Sequence, residues 1–193
     1  MCIRGSEAQG SRGSGRPPPA LVLAGDVVPA RRRVKARNGS IVSPSKTLFV
    51  IKRSPIAGLG AFAICDITQG THIVEYTGER ISTAEAARRA RRRTQVVFFE
   101  VSSRTLIDAA VTGGPAKRLN HSCEGNCDTF ATRRGRIIIA AIRNIKAGEE
   151  LTYDYRLQPE EGVTLAAAKQ LYPCRCGAPH CRGTMVELSA RSR

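Results

Sequence analysis

Apolar residues in this chain gather in short runs separated by polar or turn-forming stretches, a spacing that suits brief strands better than long helices. Thr47-Leu48-Phe49-Val50-Ile51, rich in β-branched and aromatic residues, predicts a strand. The turn-rich loop Ser54-Pro55-Ile56-Ala57-Gly58-Leu59-Gly60 follows, then Ala61-Phe62-Ala63-Ile64. Ile73-Val74-Glu75-Tyr76-Thr77 reads as a second strand, closed by Gly78. Ser82 and Thr83 can cap a helix over residues 84–93, with Glu85 in its first turn and Arg88, Arg89, Arg91, Arg92 and Arg93 around it. A helix cationic on most faces either lies on the surface or meets an anion. Val96-Val97-Phe98-Phe99 and Thr105-Leu106-Ile107-Asp108 suggest a hairpin in which alternation turns only one of Phe98 and Phe99 inward. Arg136-Ile137-Ile138-Ile139-Ala140-Ala141 is a strand, Ala147-Gly148-Glu149 a turn and Leu151-Thr152-Tyr153 a short strand; residues 163–171 suit one short helix. The expected fold is mostly β, with few short helices.

Residues 1–46 differ in kind. Gly, Ser, Arg and Pro dominate, including Pro17-Pro18-Pro19 and the basic run Arg31-Arg32-Arg33-Val34-Lys35-Ala36-Arg37. So few apolar residues cannot offset the entropy of ordering the chain, so this segment is expected to be a disordered basic arm. Its apolar stretch over residues 20–30 is broken by Gly25, Asp26 and Pro29, and serves neither as a signal sequence nor as a membrane span. No later segment is long and apolar enough to span a membrane.

Charge adds a partner to the picture. Thirty-one Lys and Arg against sixteen Asp and Glu give a formal +15 over 193 residues, an excess that attracts polyanions such as DNA. A solvated Arg-rich surface is the plainer account of the same count.

The 7 cysteines, odd in number and clustered late, argue for a reducing compartment and for metal or free thiols rather than disulfides. Cys174, Cys176 and Cys181, spaced C-x-C-x4-C, are one thiolate short of a tetrahedral zinc site. Cys123, in Asn120-His121-Ser122-Cys123, can supply the fourth and so staple the tail to the middle of the chain. Cys127 lies near enough to compete with Cys123, and His180 with Cys181; Cys2 and Cys65 read as plain thiols.

In order along the chain stand Gly58-Leu59-Gly60, Tyr76-Thr77-Gly78, Arg118-Leu119-Asn120-His121-Ser122-Cys123, Glu150-Leu151-Thr152-Tyr153-Asp154-Tyr155, Cys174-Arg175-Cys176 and Cys181-Arg182-Gly183. Over about residues 47–185 this series closely resembles the SET-domain protein lysine methyltransferases that carry a zinc-binding post-SET segment, in a minimal form of bacterial type. The resemblance implies a SET-domain (β-clip) fold of small curved sheets, with the Asn120 and Tyr155 segments crossing as a pseudoknot. It divides the chain into the arm at 1–46, a SET domain at 47–158 and a post-SET zinc-binding segment and tail at 159–193.

It also implies S-adenosylmethionine as cofactor. Gly58, Leu59 and Gly60 would wrap its methionine part, and Asn120 would bond its amino-acid end. His121 would present backbone and ring toward the adenine, and Tyr76 would either line the site or only pack. Tyr155 would be the catalytic tyrosine. Tyr153 would stand at the family's Phe/Tyr switch position, favouring mono- or dimethylation. Structural zinc would sit on Cys123, Cys174, Cys176 and Cys181.

This chain departs from the pattern in places. Ala57 and Leu59 replace the His and Arg often seen around the glycines, and Gly125 replaces a Pro, which is expected to loosen that loop. The cysteine-rich segments that precede many chromatin enzymes of this family are missing here, which suggests a stand-alone enzyme.

The implied partner is a histone or histone-like basic protein, drawn in by Glu149, Glu150, Asp154, Glu160 and Glu161, with the cationic surface holding DNA or nucleosome and no membrane involved. The setting would be a bacterial cytoplasm and nucleoid, or alternatively a nucleus. Two rivals remain: a catalytically silent module of the same fold that binds nucleic acid or chromatin, and a zinc-ribbon DNA binder. The second lacks the paired C-x2-C knuckles expected of it.

Overall fold

The structure, a computed structural model, describes residues 21–23, 47–92, 97–159 and 162–188. Its strands are β1 (Leu21–Leu23), β2 (Phe49–Arg53), β3 (Leu59–Ala63), β4 (His72–Tyr76), β5 (Glu79–Ser82), β6 (Val97–Ser102), β7 (Thr105–Asp108), β8 (Asn120–His121), β9 (Cys127–Ala131), β10 (Ile137–Ala141), β11 (Glu150–Tyr153) and β12 (Leu157–Gln158). Two α-helices join them, α1 (Thr83–Ala90) and α2 (Leu165–Leu171). One sheet has the order β12-β1-β6-β7-β5; the other runs β2-β3-β11-β9-β10-β4, with β8 added beside β11. The fold is mostly β, in small curved sheets.

Helix α1 starts where its cap dictates, the Ser82 hydroxyl accepting the Glu85 amide at 3.2 Å. It stops at Ala90, earlier than the sequence pattern suggests. Ala86 and Ala90 dock it, and the arginines that follow offer no apolar residue to hold a further turn. Its charge meets anions within the fold: Arg89 reaches Glu79, Glu85 and the buried Asp108, and Arg88 pairs with Glu85.

Phe98 and Phe99 do point to opposite faces of β6, yet both are 1% exposed. The expectation that one faces outward fails because α1 covers the second face. Phe98 packs there with Ile81, Ala86, Ala90 and Leu106, while Phe99 joins the main core.

Leu21–Leu23 lies in the stretch expected to be a disordered arm, yet it forms β1, parallel to β6 and antiparallel to β12. Three consecutive apolar residues fill the slot between two strand edges, and backbone pairing offsets the cost of ordering them. The other residues of 1–46, including Cys2 and the basic run at 31–37, lie outside the described residues. The C-terminal stretch is no separate appendage: Ala168 of α2 and Val186 share one buried cluster with Leu157 and Tyr153.

Residues 119–127 thread alongside β11. β8 runs parallel to it, Asn120 beside Thr152 and His121 beside Tyr153. The Asn126 side chain then grips β11 at two points, donating to the Glu150 carbonyl at 2.8 Å and accepting from the Thr152 amide at 2.9 Å. Gly125 packs so tightly here that a Cβ would lie 2.7 Å from the Thr152 carbonyl oxygen and from the Tyr153 Cα. Far from loosening the loop, this glycine lets the crossing close. Gly125→Ala is therefore expected to destabilise the fold by about 1–3 kcal/mol through overpacking, read as a lower urea midpoint at unchanged slope.

Candidate active site and metal centre

Three parts of the chain meet around β11: the loop between β2 and β3, the β8 crossing, and the cysteine-rich end. Gly58 sits on the loop at φ +44°, a conformation costly for any residue with a side chain, and nothing lies within 4 Å of where its Cβ would be. Its backbone is open to a ligand. Gly60 has a different reason to lack a side chain. A Cβ there would fall 2.1 Å from the Glu150 Oε1, so this glycine makes room for a carboxylate of the protein itself.

Glu150, expected from the sequence to draw in a basic peptide, has a role here that the sequence reading missed. Its carboxylate accepts from the Ser54 hydroxyl at 2.8 and 2.9 Å and from the Asn120 side-chain amide at 2.7 Å. The same Asn120 amide reaches the carbonyls of Ala57 and Leu59 at 3.2 and 3.3 Å. Asn120 and Glu150 thus hold the loop from beneath, while the Leu59 side chain is exposed. The signal in the sequence was only Glu150 standing at the head of an alternating strand.

The acidic residues expected to draw in a basic peptide have partners of their own. Glu149 pairs with Arg143 at 2.7 Å, Glu150 is held as above, and Asp154 binds Arg182 through two bonds of 2.6 and 2.8 Å. The arginines neutralise Glu149 and Asp154, so these two form no free acidic lure, whereas Glu150 keeps its charge under neutral donors; Glu160 and Glu161 lie outside the described residues.

Tyr153 and Tyr155 leave β11 with ring centroids 4.9 Å apart. The Tyr155 hydroxyl donates to the Leu119 carbonyl at 2.7 Å, tying the segment after β11 to the residue before β8. Burial raises the Tyr155 phenol above its ordinary value, and Tyr76 and the Glu150 carboxylate push the same way. Tyr155 is therefore a neutral hydrogen-bond donor. Tyr153 shifts in the same direction through burial, with Tyr155 and Tyr76 adding to it. Tyr76 is 4% exposed, its ring 5.0 Å from Phe99. It packs in the core behind the other two phenols.

His121 is turned inward. Its ring is 4% exposed, its Nδ1 accepts the Tyr155 amide at 3.1 Å, and its Nε2 lies 3.4 Å from the Cys123 Sγ. An Nδ1 that accepts leaves the proton on Nε2, aimed at sulfur. Burial pushes the imidazole down to about 4, against the pull of Asp154 and with the help of Arg182. The neutral ring joins the Tyr155 backbone to the Cys123 sulfur, with a contact at each ring nitrogen.

The Sγ atoms of Cys123, Cys174, Cys176 and Cys181 all lie within 4.8 Å of one another. Each receives at least one backbone N–H: Cys176 from Cys123 at 3.5 Å, and Cys174 from Cys176, Cys123 from Arg182 and Cys181 from Gly183 at 3.4 Å. Such donors favour thiolates, and four soft ligands with no open position suit a structural tetrahedral ion. Cys127 stays apart, buried with its thiol on Asn126 and pushed up to about 12 by burial. His180 stays apart too, exposed and paired with Glu124. Cys65 is an exposed free thiol.

The cysteine segment is sewn back onto the strand end. Leu157 donates to the Met185 carbonyl at 3.0 Å and accepts from Glu187 at 3.1 Å. The Arg182–Asp154 pair lies beside that seam, another contact the sequence alone did not disclose. Among the described residues, no helix is long and apolar enough to cross a membrane.

A family model described as SET domain matches residues 58–156. The Histone-lysine N-methyltransferase, H3 lysine-4 specific, of Saccharomyces cerevisiae is 39% identical over 139 residues, covering 68% of this chain and 12% of that protein. Histone-lysine N-methyltransferase 2D of Homo sapiens is 37% identical over 142 residues, covering 70% of this chain and 2% of that protein. This chain therefore spans only a small part of these relatives' length. Among solved structures, a humanized mutant of the Chaetomium thermophilum Polycomb Repressive Complex 2 bound to the inhibitor GSK126 aligns with a TM-score of 0.51 and 37% identity, covering 55% of this chain and 14% of that one. These relatives are eukaryotic, and the expectation of a bacterial-type enzyme working on a nucleoid finds no support among them.

Proposed function

The chain belongs to the SET-domain family, and from that premise we propose that it is a protein-lysine N-methyltransferase acting on a histone or histone-like tail in chromatin. The observation that carries this reading is the register of β8 on β11, which brings Asn120, His121, Tyr153 and Tyr155 to one place. The relatives named above, called histone-lysine N-methyltransferases, support a chromatin substrate and a nuclear setting.

The residues present fit S-adenosylmethionine. Its amino-acid part would meet the open backbone at Gly58 and the Asn120 amide, and Glu150 adds a carboxylate suited to a cationic ligand. When bound, it supplies a methyl group on a positively charged sulfur. The chain's own task is placement, since an in-line transfer depends on holding the lysine nitrogen and the methyl carbon face to face. Free lysine titrates near 10.4. An apolar channel beside a positive charge favours the neutral amine that reacts. The Tyr155 phenol, a donor rather than a base, orients groups at the site while holding the Leu119 carbonyl in place. Carbonyl oxygens fixed in this way can accept weak C–H···O contacts from a polarised methyl. No strong general base is needed.

Tyr153 carries the product preference in this reading. Its hydroxyl would hold a water where further methyl groups need room, so mono- and dimethyl products are expected. Tyr153→Phe should shift the product toward trimethyllysine, with the total rate changed less than about tenfold; mass spectra that show no added trimethyl product would remove this role. Zinc on Cys123, Cys174, Cys176 and Cys181 would be structural, its four ligands leaving no place for a reacting water.

The test is intact mass spectrometry of core histones after incubation with the protein and S-adenosylmethionine. Methyl increments that vanish in a Tyr155→Phe control are the expected result. No increments, together with no S-adenosylmethionine binding by calorimetry, would favour the silent module instead.

A further inference from the structure

The tip between β9 and β10 has no part in the site described above. Its chain reads Thr132-Arg133-Arg134-Gly135-Arg136. The turn is rigidly built: Thr132 accepts from Gly135 at 2.9 Å and donates to the Arg136 carbonyl at 2.8 Å, while its hydroxyl takes the Arg136 amide at 3.0 Å. Gly135 supplies the positive φ, +69°, that closes it. From β5, the Arg80 guanidinium bonds the Gly135 carbonyl and so anchors the tip from the side. Glu75, beside this end, is already neutralised by Arg136. Arg133 and Arg134 are exposed and make no hydrogen bond or ion pair among the described residues.

A rigid turn that projects two adjacent guanidinium groups, unpaired among the described residues, costs self-repulsion with no gain to the described fold. Phosphate is the natural acceptor for such a pair, because guanidinium binds it with matched geometry as well as charge. The formal +15 of the whole chain favours a polyanion over an isolated phosphate. Position suits this use too. β9 begins at Cys127, paired with Tyr153 of the catalytic strand. At about 3.3 Å per residue the tip stands about 20 Å away from that pair. We propose that the β9–β10 tip, through Arg133 and Arg134 with Arg80 behind them, docks on the phosphate backbone of duplex DNA while the site around Tyr155 works on a lysine one hairpin length away. The docking stands on these observations alone; its use in catalysis rests on the methyltransferase reading.

The experiment titrates binding of the full chain to a labelled mixed-sequence duplex against salt. Arg133→Gln/Arg134→Gln should flatten the plot of log affinity against log salt by about 2, close to one unit per lost phosphate contact. Arg133→Lys/Arg134→Lys, which keeps the charge, should restore the slope. Arg53→Gln/Lys169→Gln, which removes equal charge elsewhere, should leave it within about half a unit. The glutamine pair should also raise KM for a DNA-bound histone substrate about tenfold with kcat unchanged, and leave turnover of a free histone peptide as it was. An unchanged slope in the glutamine pair overturns the docking, and so does a loss of binding to DNA-free histone octamer with the DNA slope intact. If the wild-type chain methylates neither substrate, the methyltransferase reading fails, and the slopes still decide the docking by themselves.

Discussion

Tyr155→Phe is expected to lower methyl transfer by about 100-fold or more while leaving the protein folded. The removed hydroxyl makes one bond, 2.7 Å to the Leu119 carbonyl. Losing it costs about 1 kcal/mol of stability, with up to a few more for the carbonyl left unpaired. The surrounding packing survives, since the ring still lies 5.3 Å from His121 and 4.9 Å from Tyr153. What would be lost is alignment: the group proposed to orient the amine, and the fixed direction of the Leu119 carbonyl that precedes β8. Single-turnover kinetics on histone H3 would read the change, with thermal melting as the control on folding. A variant within about threefold of the wild-type rate would end the assignment of Tyr155 to the reaction.

Stripping the metal is expected to do comparable damage by another route. Without an ion, four thiols gathered within 4.8 Å lose their common ligand. Structural zinc contributes about 10–16 kcal/mol of apparent binding energy in small zinc peptides at neutral pH. The gain here is smaller, because Ala168 and Val186 already anchor the segment in the core. The weak part is the stretch over residues 172–184, whose cysteine-bearing positions are only partly buried. When it loosens, Arg182 leaves Asp154 and the Cys123 sulfur moves from the His121 ring, whose other nitrogen holds the Tyr155 amide. A chelator, or Cys174→Ser, should therefore raise hydrogen exchange over residues 172–184 and lower activity by more than about tenfold. Exchange in β2, β3 and β10 should stay as it was. Full activity after the ion is shown to be gone would mean that the cysteine segment plays no part in shaping the site.

The two results are linked through His121. Its ring spans the distance between the Tyr155 backbone amide and the Cys123 sulfur of the four-cysteine cluster. Damage on the metal side is thus transmitted to the position of Tyr155 with no group of the reaction being removed. The two are expected to separate in the kinetics: Tyr155→Phe should lower kcat, whereas metal loss should weaken cofactor binding as well.

Much of the architecture was legible in the sequence, because short β-branched runs between turn residues admit few other readings. β2, β4, β7, β10 and β11 stand within two residues of their predicted positions, and both helices start at hydroxyl caps that local chemistry dictates. The four cysteines were legible for a similar reason: thiolates spaced C-x-C-x4-C with one partner upstream have little else to do. Glycine chemistry was legible only as a demand for a missing side chain, not for its cause. Gly58 supplies a left-handed turn, Gly60 clears space for Glu150, and Gly125 lets one strand pass beneath another.

Those causes belong to the tertiary structure. Covering both faces of β6 depended on where α1 folds back, which no local pattern states. Leu21–Leu23 became a strand because two edges flank it, although its own neighbourhood in the chain is poor in apolar residues. Asp154 proved to be paired because an arginine distant in sequence reaches it, Arg182 across 28 positions. By itself, the sequence determined which elements form and which cysteines gather into one cluster, since these follow from short-range sterics and ligand chemistry. Only the tertiary structure decided which partners those residues keep, because long-range pairing depends on loops closing over many residues and leaves no periodicity to read.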